Sequence, residues 1–210
     1  MNMIKKLLIT ALLGFTIFGC TSSTGEVKAL KEMPAGEYVP DVTHTSVVFK
    51  VKHMGLSDYT ARFTGFNATL NFDPINPTKS TLVAIIDPNS IKTDYPFPEK
   101  ENFDEFLAKN ENWFNSKKFP EIKFESTKIK KIGSSKGVVE GNLTMLGVTK
   151  PMKLEVTLNG SYVIKPHSGN PALGFSAVGK IKRSQWGFGA FIPLLGDDVE
   201  IIIETELNKK

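Results

Sequence analysis

Cysteine is almost absent from this chain, Cys20 being the only one in 210 residues. A lone thiol forms no internal disulfide, and no set of thiolates exists to hold zinc or an iron–sulfur cluster. Histidine is scarce too. His44, His53 and His167 are the whole set, and the first two sit on one expected strand, roughly 30 Å apart at about 3.3 Å per residue, too far to share a metal. Neither a metal nor another cofactor is therefore expected. Charge of one sign is nowhere concentrated: the net charge is +4. The basic stretch Lys128-Ile129-Lys130-Lys131 is the solvated part of an alternating strand, so no nucleic-acid surface is expected. Long apolar runs are missing as well, since Leu7 to Phe18 falls short of the roughly 20 residues of a spanning helix. Gly187-Phe188-Gly189 lacks the third glycine and the strand-to-helix setting of a nucleotide loop. Asp197-Asp198, after Gly196, is most simply a turn before the last strand.

The N-terminus holds a recognisable address. Lys5 and Lys6 precede the apolar run, and the small residue Gly19 ends it directly before Cys20, the layout of an export signal over residues 1–19. Gly19-Cys20 resembles the bacterial lipobox, though Phe18 is bulkier than usual there. That resemblance implies a lipidated Cys20, a membrane anchor and a place on the periplasmic side of the cell envelope. Loss of Lys5 and Lys6 with the signal lowers the formal charge from +4 to +2. Small, weakly patterned residues through Ala35 are expected to form a tether over 20–35. The remainder, 36–210, is long enough for one domain with a substantial core.

That remainder reads as strand after strand. Val138 to Leu158 holds two alternating patterns, with Val139, Gly141, Leu143 and Met145 on the apolar face going in and Met152, Leu154, Val156 and Leu158 coming out. Leu146 to Pro151 supplies a glycine and a proline for the turn, so a β-hairpin is expected. Val47, Phe49, Val51 and His53 share one face earlier in the chain, as do Phe66, Ala68, Leu70 and Phe72. Phe63 falls out of phase with Phe66, which predicts a bulge at Gly65. Thr81 to Ile86 is apolar on both sides. Leu173, Phe175, Ala177, Gly179 and Ile181 form a further inward face, and Val199, Ile201, Ile203, Thr205 and Leu207 the last.

One segment breaks the alternation. Glu99 to Phe114 spaces Phe103, Phe106, Leu107, Trp113 and Phe114 as a helical face and is expected to cover the apolar strands. About eight long antiparallel strands with one inserted helix predict an all-β barrel or sandwich. A barrel of this size either packs its interior or encloses one ligand. Gly141, Gly179, Ala68 and Ala177 on inward faces leave volume for a ligand, or else merely permit bends at corners.

At this point several stretches together resemble YceI-like proteins. They are Asp41 to Ser46, Phe49 to His53, Phe72-Asp73-Pro74, Ile91-Lys92-Thr93, Trp113-Phe114, Phe119 to Phe124, Gly141 to Pro151, and Arg183 with Trp186-Gly187-Phe188. The resemblance spans Gly36 to about Leu207. It implies an extended, lipocalin-like antiparallel barrel whose apolar tunnel binds a polyisoprenoid or similar long-chain lipid, and it implies no catalytic residues. Phe103-Asp104-Glu105-Phe106-Leu107 departs from the family's Arg-Asp-x-His-Leu pattern by replacing the basic pair with phenylalanines, which leaves a polar head group fewer partners there.

The expected ligand-binding residues are Phe49, Val51, His53, Phe66, Ala68, Gly141, Leu143, Leu154, Phe175, Ala177 and Ile201, with the Glu99–Phe114 face as cover. His53 either meets a polar end of the ligand at the rim or bonds the loop that follows it, and Arg183 either fixes a loop or contacts lipid. Three functions remain open: an exported lipid-binding lipoprotein, a structural lipoprotein with a filled barrel, and a hydrolase with converging titratable groups.

Overall fold

The computed structural model describes residues 30–166 and 168–210. The export signal, Cys20 and most of the expected tether, together with His167, lie outside the described residues. Among the described residues the alternating segments become ten β-strands: β1 (Gly36–His53), β2 (Ser57–Phe63), β3 (Phe66–Phe72), β4 (Thr81–Ile86), β5 (Ile91–Lys92), β6 (Ile122–Lys131), β7 (Lys136–Met145), β8 (Val148–Tyr162), β9 (Ala172–Lys182) and β10 (Leu195–Lys209). One α-helix, α1 (Phe103–Lys109), stands between β5 and β6.

Every pairing is antiparallel, and β10 returns to pair with β1, so the sheet closes. Strand β1 is long enough for β2 to pair with its second half and β3 with its start. β2 and β3 therefore form one broken stave, and β4 and β5, paired with β3 and β2, form the next. Ten strands thus make eight staves, the barrel expected from the sequence, and closure of β10 onto β1 removes the two long edges an open sheet would present. The phase slip falls at the break between β2 and β3, but it is not the expected bulge, because the extra residues lie opposite: Tyr38 to Val47 of β1 faces the shorter run Phe63 to Leu70. A Cβ at Gly65 would lie 2.9 Å from Cβ of Ser90, so glycine lets the chain pass there, and across the break both Phe63 and Phe66 reach the interior.

Two local expectations change. The β7–β8 hairpin turns on Leu146 and Gly147 alone, with φ of 51° and 74°, and Met145 pairs with Val148. Two consecutive left-handed residues make the tight turn whose twist matches the flanking strands. Pro151 accordingly lies inside β8, opposite Asn142, on a part of the strand that β9 does not reach. The helix is shorter than Glu99–Phe114. The Asn102 side chain accepts from the Glu105 amide at 3.2 Å and caps its start, and Asn110 in extended conformation ends it. Trp113 and Phe114 then follow in turns, tied back by the Phe114 amide to the Leu107 carbonyl at 3.1 Å.

The tether also ends sooner than expected. Leu30–Glu32 forms a short 3-10 turn, and Met33 is only 2% exposed, packed with Tyr38, Leu70, Phe72, Leu158, Leu173 and Leu207. Tyr38 donates to the Pro34 carbonyl at 2.8 Å, and its burial pushes its pKa up to about 12. This cluster packs at the lower end of the barrel. The upper end carries the β1–β2 and β7–β8 turns, the 93–121 segment with α1, and the 183–194 connection from β9 to β10.

Candidate ligand site

Alternation along eight staves points a continuous apolar surface inward, and the space it encloses is not filled. A cavity of about 580 Å³ runs between the two ends of the barrel, within the roughly 300–1,000 Å³ of small-molecule sites. Phe49 and Val51 on β1, Phe66 and Ala68 on β3, Leu143 on β7, Leu154 on β8, Phe175 and Ala177 on β9, and Ile201 on β10 all line it. His53 joins them at the upper rim, exposed at the end of β1. Phe49, Phe66, Phe175 and Ile201 are only half-buried although they face inward, because their inner surface meets the cavity instead of another side chain.

Gly141 does not line the cavity. A Cβ there would lie 2.4 Å from Cζ of Phe124 and 2.5 Å from the Glu125 carbonyl oxygen. The glycine makes room for a ring from the neighbouring stave, so the volume it leaves is already filled. Gly179 behaves alike, its absent Cβ falling 2.4 Å from Cε of Met152.

The upper cover divides in the same way. Phe103, Leu107, Trp113 and Phe114 line the cavity, whereas Phe106 does not. Phe106 is 38% exposed and lies on the outer side of Phe103, stacked at 6.0 Å. Helix α1 is held in place by Asp104, which accepts from the Thr93 amide at 2.8 Å, the Thr93 hydroxyl at 2.6 Å and the Lys92 ammonium at 3.3 Å. Burial raises the Asp104 pKa, but those bonds outweigh it and hold the carboxyl below its ordinary value.

Sequence reasoning missed the other half of the cover. The connection from β9 to β10 brings Phe188, Phe191 and Leu194 over the cavity beside Met54. Arg183 is 4% exposed and organises this loop by donating to the carbonyls of Gly196 at 2.7 Å and of Phe188, Ala190 and Leu195, each at 2.8 Å. It fixes a loop, one of the two roles open to it, and burial lowers its pKa. Trp186, 1% exposed, ties the same turn across to β7 through Nε1 and the Leu143 carbonyl at 3.0 Å. The signal available was the run Gly187 to Gly196, ten residues without a polar side chain. At the lower end Leu30, Ser134, Ser135 and the lysines at 130, 131 and 136 border the cavity.

A polar cluster outside the tunnel also escaped the sequence reading. Asp41 and His44 of β1 and Glu206 of β10 converge, but the Lys165 ammonium already bridges Asp41 at 2.9 Å and Glu206 at 2.5 Å. A cation of the protein's own thus serves these carboxylates. The Thr43 hydroxyl, then Lys165, holds the Asp41 carboxyl well below its ordinary range despite partial burial.

Comparison with known proteins gives this barrel its relatives. The family described as YceI-like domain matches residues 38–207. The chain belongs to the YceI-like family. Protein YceI of Salmonella arizonae is 34% identical over 197 residues, 93% of this chain and 95% of that protein. A solved YceI protein from Campylobacter jejuni is 32% identical with a TM-score of 0.64, covering 77% of this chain and 91% of its own. A polyisoprenoid-binding domain from Saccharophagus degradans, 13% identical with a TM-score of 0.57, covers 84% of this chain and 100% of its own, and shares the fold. Against the YceI-like pattern this chain places Phe103 on the cavity and Phe106 outside it, so the two phenylalanines at the basic positions differ in role, and the retained acid, Asp104, is spent on holding α1.

Proposed function

We propose that this YceI-like protein binds one long apolar lipid chain inside the barrel, a polyisoprenoid or a chain of similar length and shape, as a carrier or a store. The observation that carries this reading is the cavity itself: an open volume of about 580 Å³ whose middle is lined by aliphatic and aromatic side chains from every stave. The charged side chains that border it, Arg183 above and the lysines at 130, 131 and 136 below, sit at its ends, so no converging set of titratable groups supports hydrolysis in its middle. A filled structural barrel has no use for such a volume. Each methylene withdrawn from water contributes about 0.8 kcal/mol, so a chain of several isoprene units binds without any charged contact. The polyisoprenoid-binding Saccharophagus domain, with the same fold, agrees in ligand class.

The mature protein, on this reading, starts at a lipidated Cys20 and is held to a membrane on the periplasmic side, since two acyl chains give the stable attachment that one does not. Mass spectrometry of organic extracts from protein purified without added lipid tests the ligand, and a long apolar compound recovered in near-equal amount to the protein is expected. An extract containing no such compound overturns the reading. Uptake of a fatty-acid analogue tests the anchor, with labelling expected in the wild type and lost in Cys20→Ala.

A further inference from the structure

The loop from Gly187 to Gly196 has no polar side chain, yet it faces water. Phe191 is 66% exposed, Ile192 39% and Leu194 57%. Beside it the β1–β2 turn presents Met54 at 55% and Leu56 at 85%. The two tips form one edge, because the Met54 amide donates to the Leu194 carbonyl at 2.7 Å. Trp113 extends it, stacked on Phe191 at 6.1 Å. Met54, Phe191 and Leu194 also line the cavity, so the apolar surface runs unbroken from inside the barrel to its outer rim. Other exposed apolar residues such as Ile75, Ile132 and Ile164 stand on separate lower loops and do not reach the cavity.

The backbone of this edge is equally telling. Eight of the ten carbonyls from Gly187 to Gly196 accept a hydrogen bond from within the protein, four of them from Arg183; only those of Ile192 and Pro193, at the tip, accept none from the described residues and are left to interfacial water. A loop made for water has no need of this, since solvent satisfies its carbonyls. A loop that enters hydrocarbon must satisfy them internally, because nothing there will. A protein partner would be expected to meet a rim of polar side chains around such a patch, and none stands on this run.

From these observations we infer that the upper rim is a membrane-docking surface: Leu56, Phe191, Ile192 and Leu194 enter the acyl boundary of a bilayer and bring the upper end of the tunnel against lipid. Apolar side chains set into that boundary, with an aromatic residue at the interface, are the usual means of such attachment. An apolar chain can then pass between bilayer and cavity without crossing water. The docking surface rests on the lipid-binding reading only for this purpose, and the two can fail separately.

The test uses the full chain reconstituted in unbrominated vesicles and challenged with vesicles of phosphatidylethanolamine and phosphatidylglycerol brominated along their acyl chains. Bromine quenches tryptophan only at short range, and subtracting the spectrum of Trp113→Phe isolates the rim tryptophan from Trp186. Trp113 emission is expected to be quenched in the wild type. Most of that quenching should be lost in Leu56→Ser with Ile192→Ser, two residues that do not line the cavity, and reduced in Leu56→Asp alone, a side chain exposed enough for the variant to fold. Absence of quenching in the wild type overturns the inference whatever lipid the protein carries. Equal quenching in wild type and variants also overturns it, because bromine would then be reaching Trp113 inside the cavity. Dimerisation lost in the same variants, with no quenching, would make the rim an interface between copies instead.

Discussion

Strands β7 and β10 carry the same alternating pattern but end in opposite circumstances. Val139, Gly141, Leu143 and Met145, the inward residues of β7, are all buried, whereas Val199, Ile201, Ile203 and Thr205 of β10 are all half-exposed, with only Leu207 buried. The difference comes from the neighbours. On the β7 side Phe124 leans over Gly141 from the next stave and occupies the volume the glycine leaves. On the β10 side Ile201 pairs with Gly179 of β9 and Phe49 of β1, and its side chain looks across open cavity. Both walls line the cavity, Val139, Leu143 and Met145 on one side and Val199, Ile201 and Ile203 on the other, but the β7 wall is the more tightly packed and the β10 wall the more open.

The largest effect that probes this contrast is expected from Gly141→Phe. Its Cβ alone would collide with a backbone oxygen at 2.5 Å, which cannot rotate away, so the loss should reach or exceed the roughly 1–3 kcal/mol of ordinary overpacking. Urea denaturation measures it, and a variant as stable as the wild type would show that Phe124 swings aside and that β7 is as open as β10. Ile201→Phe, the matched change on the other wall, should cost under about 1 kcal/mol, because the ring grows into space. It should nevertheless reduce the lipid recovered from the protein. A large loss of stability with unchanged lipid would place packing where the cavity is drawn.

The seam between β1 and β10 offers a smaller, pH-dependent effect. Asp41 titrates below its ordinary value when folded and near 3.9 when unfolded. Its contribution is therefore complete above the unfolded value and is lost as pH falls through the folded one. Melting temperature followed downward from pH 6 should drop in the wild type, and Asp41→Asn should flatten part of that decline. Identical acid limbs would mean that the Asp41–Lys165–Glu206 cluster does not hold the seam. The smallest effect is expected at the cover, where Phe106→Asp changes an exposed ring and should alter stability by less than about 1 kcal/mol. Loss of fold or of ligand would mean that Phe106 turns inward over the tunnel.

What could be read from sequence follows the range of the interactions involved. Strand phase is local, so Val47, Phe49, Ala68, Leu143, Leu154 and Ala177 were legible as inward-facing, and the phase slip between Phe63 and Phe66 located the break between β2 and β3, though not as the bulge expected at Gly65. Whether an inward residue meets a partner or a void depends on another stave. Gly141 and Ala177 consequently looked alike, and only the placement of Phe124 separates them. The five-residue apolar face of the cover was legible as a pattern, but the Asn102 cap and the Asn110 stop shorten the helix and turn Phe106 away from the tunnel. The packing of Met33 and the bridge of Lys165 between β1 and β10 join segments far apart in the chain, and the grip of Arg183 on carbonyls 5 to 13 residues further on depends on how the 187–196 loop folds back; no alternating or helical pattern announces any of them.

The central claim, that the open wall faces a bound apolar chain, is tested most directly by native mass spectrometry of the protein purified without added lipid, before and after organic extraction. The account predicts an excess mass matching a single apolar chain that is absent after extraction, distinct from any covalent acyl mass, and reduced in Ile201→Phe. A protein whose mass is unchanged by extraction, in wild type and variant alike, would contradict it.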